Sequence, residues 1–125
     1  MIEAIQDIYY STSDMPRALN FYQDLLGLSP TIKTDYWSAF ELSGIRIGLH
    51  WTGGPAVPHI PRDSHGAHGG GTLTLRVKDL DVVAKDLKDR DVKLLSEITR
   101  NPWGNLLTIE DPDGNVLKLM QRVDS

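Results

Sequence analysis

The chain has 125 residues, of which 40% are hydrophobic and 24% charged, and its formal net charge is −4. Such a composition supports a packed core and argues against wholesale disorder. The mild acidity, without a basic stripe, argues against nucleic-acid binding. Because cysteine is absent, disulfides and thiolate chemistry are excluded. Residues 1–7 have neither a basic region nor a long apolar stretch, so we expect a cytoplasmic protein without a membrane partner.

The first half of the sequence predicts a strand, a helix and three further strands. Residues 2–10 are rich in Ile and Tyr and short enough for a strand. Asp14 is suited to cap a helix, whose apolar residues recur at three- and four-residue spacing until Gly27 ends it. Three strands follow, with Ser43-Gly44 as the hairpin turn before the last one; they span residues 29–34, 37–43 and 45–51.

The second half predicts the same order again. Residues 53–70, rich in glycine and proline, form the predicted connecting loop. A half-buried strand follows, and then a helix capped by Asp79 or Asp81. The remaining strands are predicted at about 93–99, 105–110 and 115–121. The pattern repeats after about 65 residues. We therefore predict one domain, residues 1–125, with modules at 1–52 and 71–125.

Three motifs carry a resemblance to a known family: Asp14…Ala18-Leu19-Asn20-Phe21-Tyr22…Leu26-Gly27-Leu28, Asn101-Pro102-Trp103-Gly104 and Asp111-Pro112-Asp113-Gly114-Asn115. On these residues the chain resembles the vicinal oxygen chelate superfamily, which groups glyoxalases, bleomycin-resistance proteins and extradiol dioxygenases. The resemblance implies an α+β fold in which two βαβββ modules form a curved, half-open mixed sheet around a pocket. It also implies helices on the convex side and a homodimer.

The resemblance places the metal-ligand positions of the family's enzymes near Asp7, Gly48, Thr72 and Lys118. Of these, only Asp7 is a good ligand, and a shift of one residue would put Gln6 in its place. Gly48 has no side chain, the Thr72 hydroxyl is a weak ligand, and the Lys118 ammonium repels a divalent ion. We therefore expect no metal and no other cofactor. Lys118 either replaces the metal's charge and pairs with Asp7, or extends into solvent.

The four histidines differ in context. His59, His65 and His68 lie in the predicted loop, where the spacing of the last two is only weak evidence for a metal site. His50 lies on a strand, where alternation puts it on one face with Arg46 and Gly48 and puts Ile45, Ile47 and Leu49 on the other. Since the apolar set should meet the helices, His50 is expected in the pocket. There it would act as a general base or ligand donor, or only hydrogen-bond a neighbour.

Alternation, together with the position that the resemblance implies for Lys118 and the turn that contains Trp103, predicts a pocket of aromatic and charged side chains. Its candidate ligand-binding residues are Asp7, Tyr9, Trp37, Glu41, Arg46, His50, Thr72, Arg76, Trp103 and Lys118. Such a surface suits a flat or aromatic ligand with an anionic or carbonyl group. The alternatives are that each Trp packs at a dimer interface or under the loop, and that the inward Arg and Glu pair with each other.

The favoured function is a small-molecule-binding protein, similar to the bleomycin-resistance branch, that sequesters an aromatic or anionic ligand and has a degenerate metal site. The alternative is a lyase, isomerase or dioxygenase of the same superfamily. Such an enzyme would use a metal in an unusual arrangement, or His50 with Asp7 or Glu41 as acid and base. A third possibility, a dimeric regulatory module, is supported by no exposed motif.

Overall fold

A computed structural model of the chain describes residues 1–58 and 71–123. The chain divides into two compact units, Met1–Pro58 and His59–Ser125, at a point inside the predicted connecting loop. The predicted α+β class is confirmed, with the strands in two open mixed sheets. Within the described ranges, no helix is long and apolar enough to cross a membrane.

The first unit contains a four-stranded sheet covered on one face by a helix. Its elements are β1 (Ile8–Thr12), α1 (Met15–Leu19), a π-helical segment (Asn20–Leu25), β2 (Pro30–Lys33), β3 (Trp37–Leu42) and β4 (Ile45–Trp51). The strand order is β1-β4-β3-β2, and β1 runs parallel to β4. Large apolar side chains from both layers meet in the core, including Phe21, Tyr22, Phe40, Ile47 and Leu49.

The second unit follows the same plan. Its elements are β5 (Leu73–Arg76), α2 (Leu80–Asp89), β6 (Lys93–Leu94), β7 (Thr99–Asn101), β8 (Gly104–Glu110) and β9 (Val116–Arg122). The strand order is β5-β9-β8-β6, with β7 also paired to β8, and the first strand again runs parallel to the last. The buried core contains Leu80, Leu87, Leu107, Ile109 and Leu117.

Side-chain caps begin both helices. The Asp14 carboxylate accepts a hydrogen bond from the Arg17 amide at 3.0 Å, and Asp79 accepts one from the Val82 amide at 3.2 Å. Asp79 is therefore the second cap. Asp81 instead accepts a hydrogen bond from Arg100 at 2.7 Å, and this bond, together with the charge attraction, raises the pKa of Arg100 above its usual value.

Two predicted strands are shorter than expected. Strand β1 begins at Ile8 rather than at residue 2, because its parallel partner β4 begins at Ile45, only two residues before the partner of Ile8. The strand predicted at 93–99 is interrupted between β6 and β7. There, the four residues between Leu94 and Thr99 face only two on β8, and the Ser96 hydroxyl accepts the hydrogen bond of the Thr108 amide.

The first helix does not continue as an α-helix to Gly27. From Asn20 to Leu25 it is π-helical, and the Leu26 amide bonds the Phe21 carbonyl at 3.0 Å. The change occurs where two consecutive rings, Phe21 and Tyr22, are both buried and lie edge to face with centroids 5.1 Å apart. Gly27 ends the segment as predicted, with φ +78°.

The turn between β8 and β9 is fixed by a buried carboxylate. Asp111, only 4% exposed, accepts hydrogen bonds from the Asp113 and Asn115 amides and from the Asn115 side chain. We expect Asp111→Ala to lower the free energy of unfolding by about 2–4 kcal/mol, since it leaves buried donors without their acceptor. Urea denaturation measures this loss. The exposed change Asp89→Ala is the control, and equal effects of the two substitutions would contradict the assignment.

Candidate ligand-binding site

Strand β4 alternates as its sequence predicts. Ile47 and Leu49 are 2% and 0% exposed and pack on the helix side, whereas His50 is exposed. Ile45, at the hairpin end of the strand, is 38% exposed and contributes less to the core than predicted. Since neighbouring residues of a strand point to opposite faces, His50 and Gly48 lie on the face away from the helix.

The indole of Trp37 covers Gly48. A Cβ atom built on Gly48 would lie 2.1 Å from Cη2 and 2.5 Å from Cζ2 of Trp37. These separations are far below van der Waals contact, so no side chain fits at position 48 while the indole holds its place. Trp37 lies on β3 directly opposite His50 of β4. Its ring extends two residues along the sheet, to the point where Ala39 is paired with Gly48. Gly48 is therefore buried beneath an aromatic side chain.

Three rings form what we call the aromatic patch: Tyr9, Trp37 and His50. The Tyr9 ring lies edge-on to Trp37 at a centroid distance of 5.8 Å and edge-on to His50 at 5.7 Å. Trp37 and His50 are 6.4 Å apart. Because Tyr9 is 55% exposed, the patch offers an accessible apolar surface on which a flat molecule can stack.

Two of the candidate residues on this face, Glu41 and Arg46, pair with each other. They are directly opposite in the β3–β4 ladder, and the Arg46 Nε atom donates to Glu41 at 2.8 Å. The alternative that the inward Arg and Glu pair with each other is therefore the one observed. The charges offset each other, which leaves Arg46 less available to anchor an anion.

In the second unit, Lys118 lies between two hydroxyl-bearing residues. On β9 it is paired with Thr74 of β5 on one side and with Thr108 of β8 on the other. The Cβ atoms of directly paired residues lie about 4.5–5.5 Å apart on the same face of a sheet, so Thr74, Lys118 and Thr108 form one row across that face. We call this the lysine row. Arg76 lies in the next row, beside Met120.

The lysine row and the Gly48 row occupy equivalent places in the two units. In each, a residue of the first strand is paired in parallel with a residue of the last strand: Tyr9 with Gly48, and Thr74 with Lys118. Thr74 follows Tyr9 by 65 residues, the repeat spacing predicted from the sequence. The same framework thus carries aromatic side chains in one unit and polar, cationic side chains in the other.

The other candidates lie outside these two rows. Asp7 directly precedes β1, and Thr72 directly precedes β5. Trp103, 57% exposed, lies in the turn between β7 and β8, five residues before Thr108 and hence about 17 Å along the strand from the lysine row. His59, His65 and His68 lie outside the described residues. The pairing of Asp7 with Lys118 stays a prediction.

Sequence reasoning did not find Thr108. Its signal is the alternation of β8, in which Leu107 and Ile109 are buried and Thr108 points to the opposite face. The register that places it beside Lys118 depends on the turn at Asp111, which pairs Glu110 with Val116. Across the described ranges, no three His, Cys, Asp or Glu side chains come together as a group that could hold a metal ion.

A family model, two related proteins and a solved structure match this chain. A family model described as Glyoxalase/Bleomycin resistance protein/Dioxygenase superfamily matches residues 4–119. Metallothiol transferase FosB of Staphylococcus saprophyticus is 26% identical over 121 residues, which cover 95% of this chain and 77% of that protein. Phenazine antibiotic resistance protein EhpR of Enterobacter agglomerans is 26% identical over 111 residues, which cover 86% and 83%. A glyoxalase-related enzyme from Fulvimarina pelagi shares the fold, with a TM-score of 0.75 at 18% identity over 97% of this chain and 89% of that one.

The contact between Trp37 and Gly48 predicts a non-additive pair of substitutions. Gly48→Ala should lower the free energy of unfolding by about 1–3 kcal/mol, because the new methyl group collides with the indole. In a Trp37→Ala background the same change should cost little. Urea denaturation of the four proteins measures the coupling. Gly54→Ala, where a Cβ meets nothing within 4 Å, is the control. An equal cost of Gly48→Ala with and without Trp37 would contradict the contact.

Proposed function

Since the chain belongs to the glyoxalase/bleomycin resistance protein/dioxygenase superfamily, we propose that it binds a small, flat aromatic anion without using a metal. In this proposal the protein sequesters its ligand and leaves it chemically unchanged. The aromatic patch is the proposed stacking surface of the first unit, and the lysine row, with Arg76 as a further cation, is the proposed anion-binding surface of the second. Trp103, Asp7 and Thr72 are proposed as peripheral contacts.

The observation that carries this proposal is the Trp37 indole over Gly48. Gly48 is one of the four positions at which the family resemblance places a metal ligand, and a Cβ there would lie 2.1 Å from the ring. With the indole in this position, residue 48 has neither a side-chain donor atom nor space for one. At the equivalent position of the second unit, Lys118 carries a positive charge that opposes a divalent cation. The residues at these positions do not fit the family's metal.

The lysine row supports recognition of an anion. Within the described part of the chain, the Lys118 ammonium joins no ion pair, and the neighbouring hydroxyls of Thr74 and Thr108 can each donate a hydrogen bond. A carboxylate held by an ammonium and hydroxyl donors receives charge-assisted hydrogen bonds, which are stronger than neutral ones. Arg76, one row away, also joins no ion pair among the described residues and adds a second positive charge to this face.

The aromatic patch supports a flat ligand. Tyr9, Trp37 and His50 meet edge to face or tilted, at 5.7–6.4 Å, and leave exposed ring surface. Aromatic rings prefer offset-stacked or edge-to-face arrangements, which a planar aromatic ligand can adopt on this surface. EhpR is by name a phenazine antibiotic resistance protein, and phenazines are planar and aromatic. The aromatic patch of the first unit thus offers the stacking surface that a phenazine-like ring system requires. We also propose the homodimer that the family resemblance implies.

A second candidate function is an enzyme that uses His50 as its acid or base. It is favoured by the position of the imidazole, which is exposed beside Tyr9, so that a ligand stacked on the patch would lie next to a titratable group. FosB is by name a transferase. Recovery of the bound ligand unchanged after long incubation would favour the binding protein, and its conversion would favour the enzyme.

Binding of phenazine-1-carboxylate tests the proposal. We expect saturable binding that persists in the presence of EDTA. Trp37→Leu should weaken binding about tenfold through loss of stacking. Lys118→Met should also weaken it about tenfold through loss of a charge-assisted hydrogen bond. Titration calorimetry measures both effects, and circular dichroism verifies the fold of each variant.

Two controls separate these contributions. Lys85→Met removes an exposed helix lysine and should leave binding unchanged, and uncharged phenazine should bind Lys118→Met as well as it binds the original protein. The proposal fails if EDTA abolishes binding, or if both Trp37→Leu and Lys118→Met bind phenazine-1-carboxylate as tightly as the original chain.

A further inference from the structure

A concave surface lies in the first unit, and none of the residues of the aromatic patch lines it. Two adjoining cavities of about 520 and 420 Å³ share Met15, Pro16 and Asp35. The larger extends along the helix to Gln23 and Asp24, and the smaller reaches Tyr36 and Trp51. We call the two together the helix groove. Its walls are the start of α1, the π-helical segment and the turn between β2 and β3.

The turn that carries Asp35 and Tyr36 is held by one threonine. The Thr34 hydroxyl donates to the Trp37 carbonyl at 2.7 Å and accepts from the Tyr36 and Trp37 amides at 3.3 and 3.0 Å. The Ser38 hydroxyl adds a bond to the Thr34 carbonyl at 3.2 Å. These bonds fix the backbone on both sides of Asp35, so the groove is formed before any ligand arrives, which lowers the entropic cost of binding.

Two aromatic rings form one wall of the smaller cavity. Tyr36 and Trp51 have centroids 6.1 Å apart, and the Trp51 amide bonds the Tyr36 carbonyl at 3.0 Å. The Trp51 indole N–H donates to the Ser13 carbonyl at 3.2 Å, which fixes the ring. Tyr36 is 68% exposed although it is a large apolar ring beside a cavity. An exposed face of this kind attracts a cation placed within about 6 Å of the ring.

The smaller cavity is also acidic. Asp14 and Asp35 line it, and its lining contains no cationic side chain. The nearby Arg17 guanidinium donates to the Ser13 hydroxyl at 3.1 Å, and Lys33 lines the adjoining cavity. Among the described residues, the Asp35 carboxylate accepts no hydrogen bond and joins no ion pair. Aromatic faces beside carboxylates are the combination that recognises organic cations.

The π-helical segment provides an independent indication of function. Such segments are uncommon and occur frequently at functional sites. Here the segment runs from Asn20 to Leu25, and its residues Asn20, Gln23 and Asp24 line the larger cavity. From the cavity, the aromatic wall and the charge, we propose that the helix groove binds a small organic cation, with Tyr36, Trp51 and Asp35 as its principal contacts.

Choline tests the proposal against its neutral isostere 3,3-dimethylbutan-1-ol. The readout is the two-dimensional amide NMR spectrum, in which the indole resonance of Trp51 is assigned with a Trp51→Phe variant. We expect choline to shift that resonance saturably and to bind about tenfold more tightly than the alcohol, because only choline gains the cation–π and charge interactions. Asp35→Asn and Tyr36→Leu should each weaken choline binding about fivefold.

The control is Trp37→Leu, which alters the aromatic patch and should leave choline binding unchanged. Conversely, Tyr36→Leu should leave phenazine-1-carboxylate binding unchanged, so the two proposals can fail separately. Equal affinity for choline and the alcohol would overturn the proposal. So would unchanged choline binding by Asp35→Asn and Tyr36→Leu, or a shift of the Trp37 resonance in place of that of Trp51.

Discussion

The contact of the Trp37 indole with Gly48 is the constraint on which the first unit's open face depends. A glycine at this position lets an aromatic ring lie directly against the sheet, and the ring in turn leaves no space for a side chain. Tyr9 and His50 then pack around the indole. The face of the sheet away from the helix is therefore covered by aromatic rings and presents an apolar surface at this position.

The two units show how one framework can carry two chemistries. Their first and last strands pair in the same parallel register, and in both a helix covers the opposite face. Fold and core are thus repeated, while the residues at the equivalent open positions differ: Tyr9 and Gly48 in one unit, Thr74 and Lys118 in the other. Residues that do not contribute to the core can change without loss of the fold, which is why function is assigned from the site and not from the fold.

The sequence predicts the fold well because its signals are local. Caps at Asp14 and Asp79, the Ser43-Gly44 turn and the Asp111 turn depend on neighbouring residues, and all are observed. Alternation likewise predicts which face His50 takes. The position of the Trp37 indole over Gly48 is not predictable in this way, because it depends on the rotamer of a side chain from another strand. The π-helical segment and the interruption of β6–β7 also depend on tertiary packing and cross-strand hydrogen bonds.

The most direct test of this account is a measurement of nuclear Overhauser effects between the Hα protons of Gly48 and the indole ring protons of Trp37 in solution. The account predicts strong effects from the Cη2 and Cζ2 protons, together with an upfield ring-current shift of the Gly48 Hα resonances that disappears in Trp37→Leu. Gly48 resonances at ordinary strand positions, with no Overhauser effect to Trp37, would contradict it.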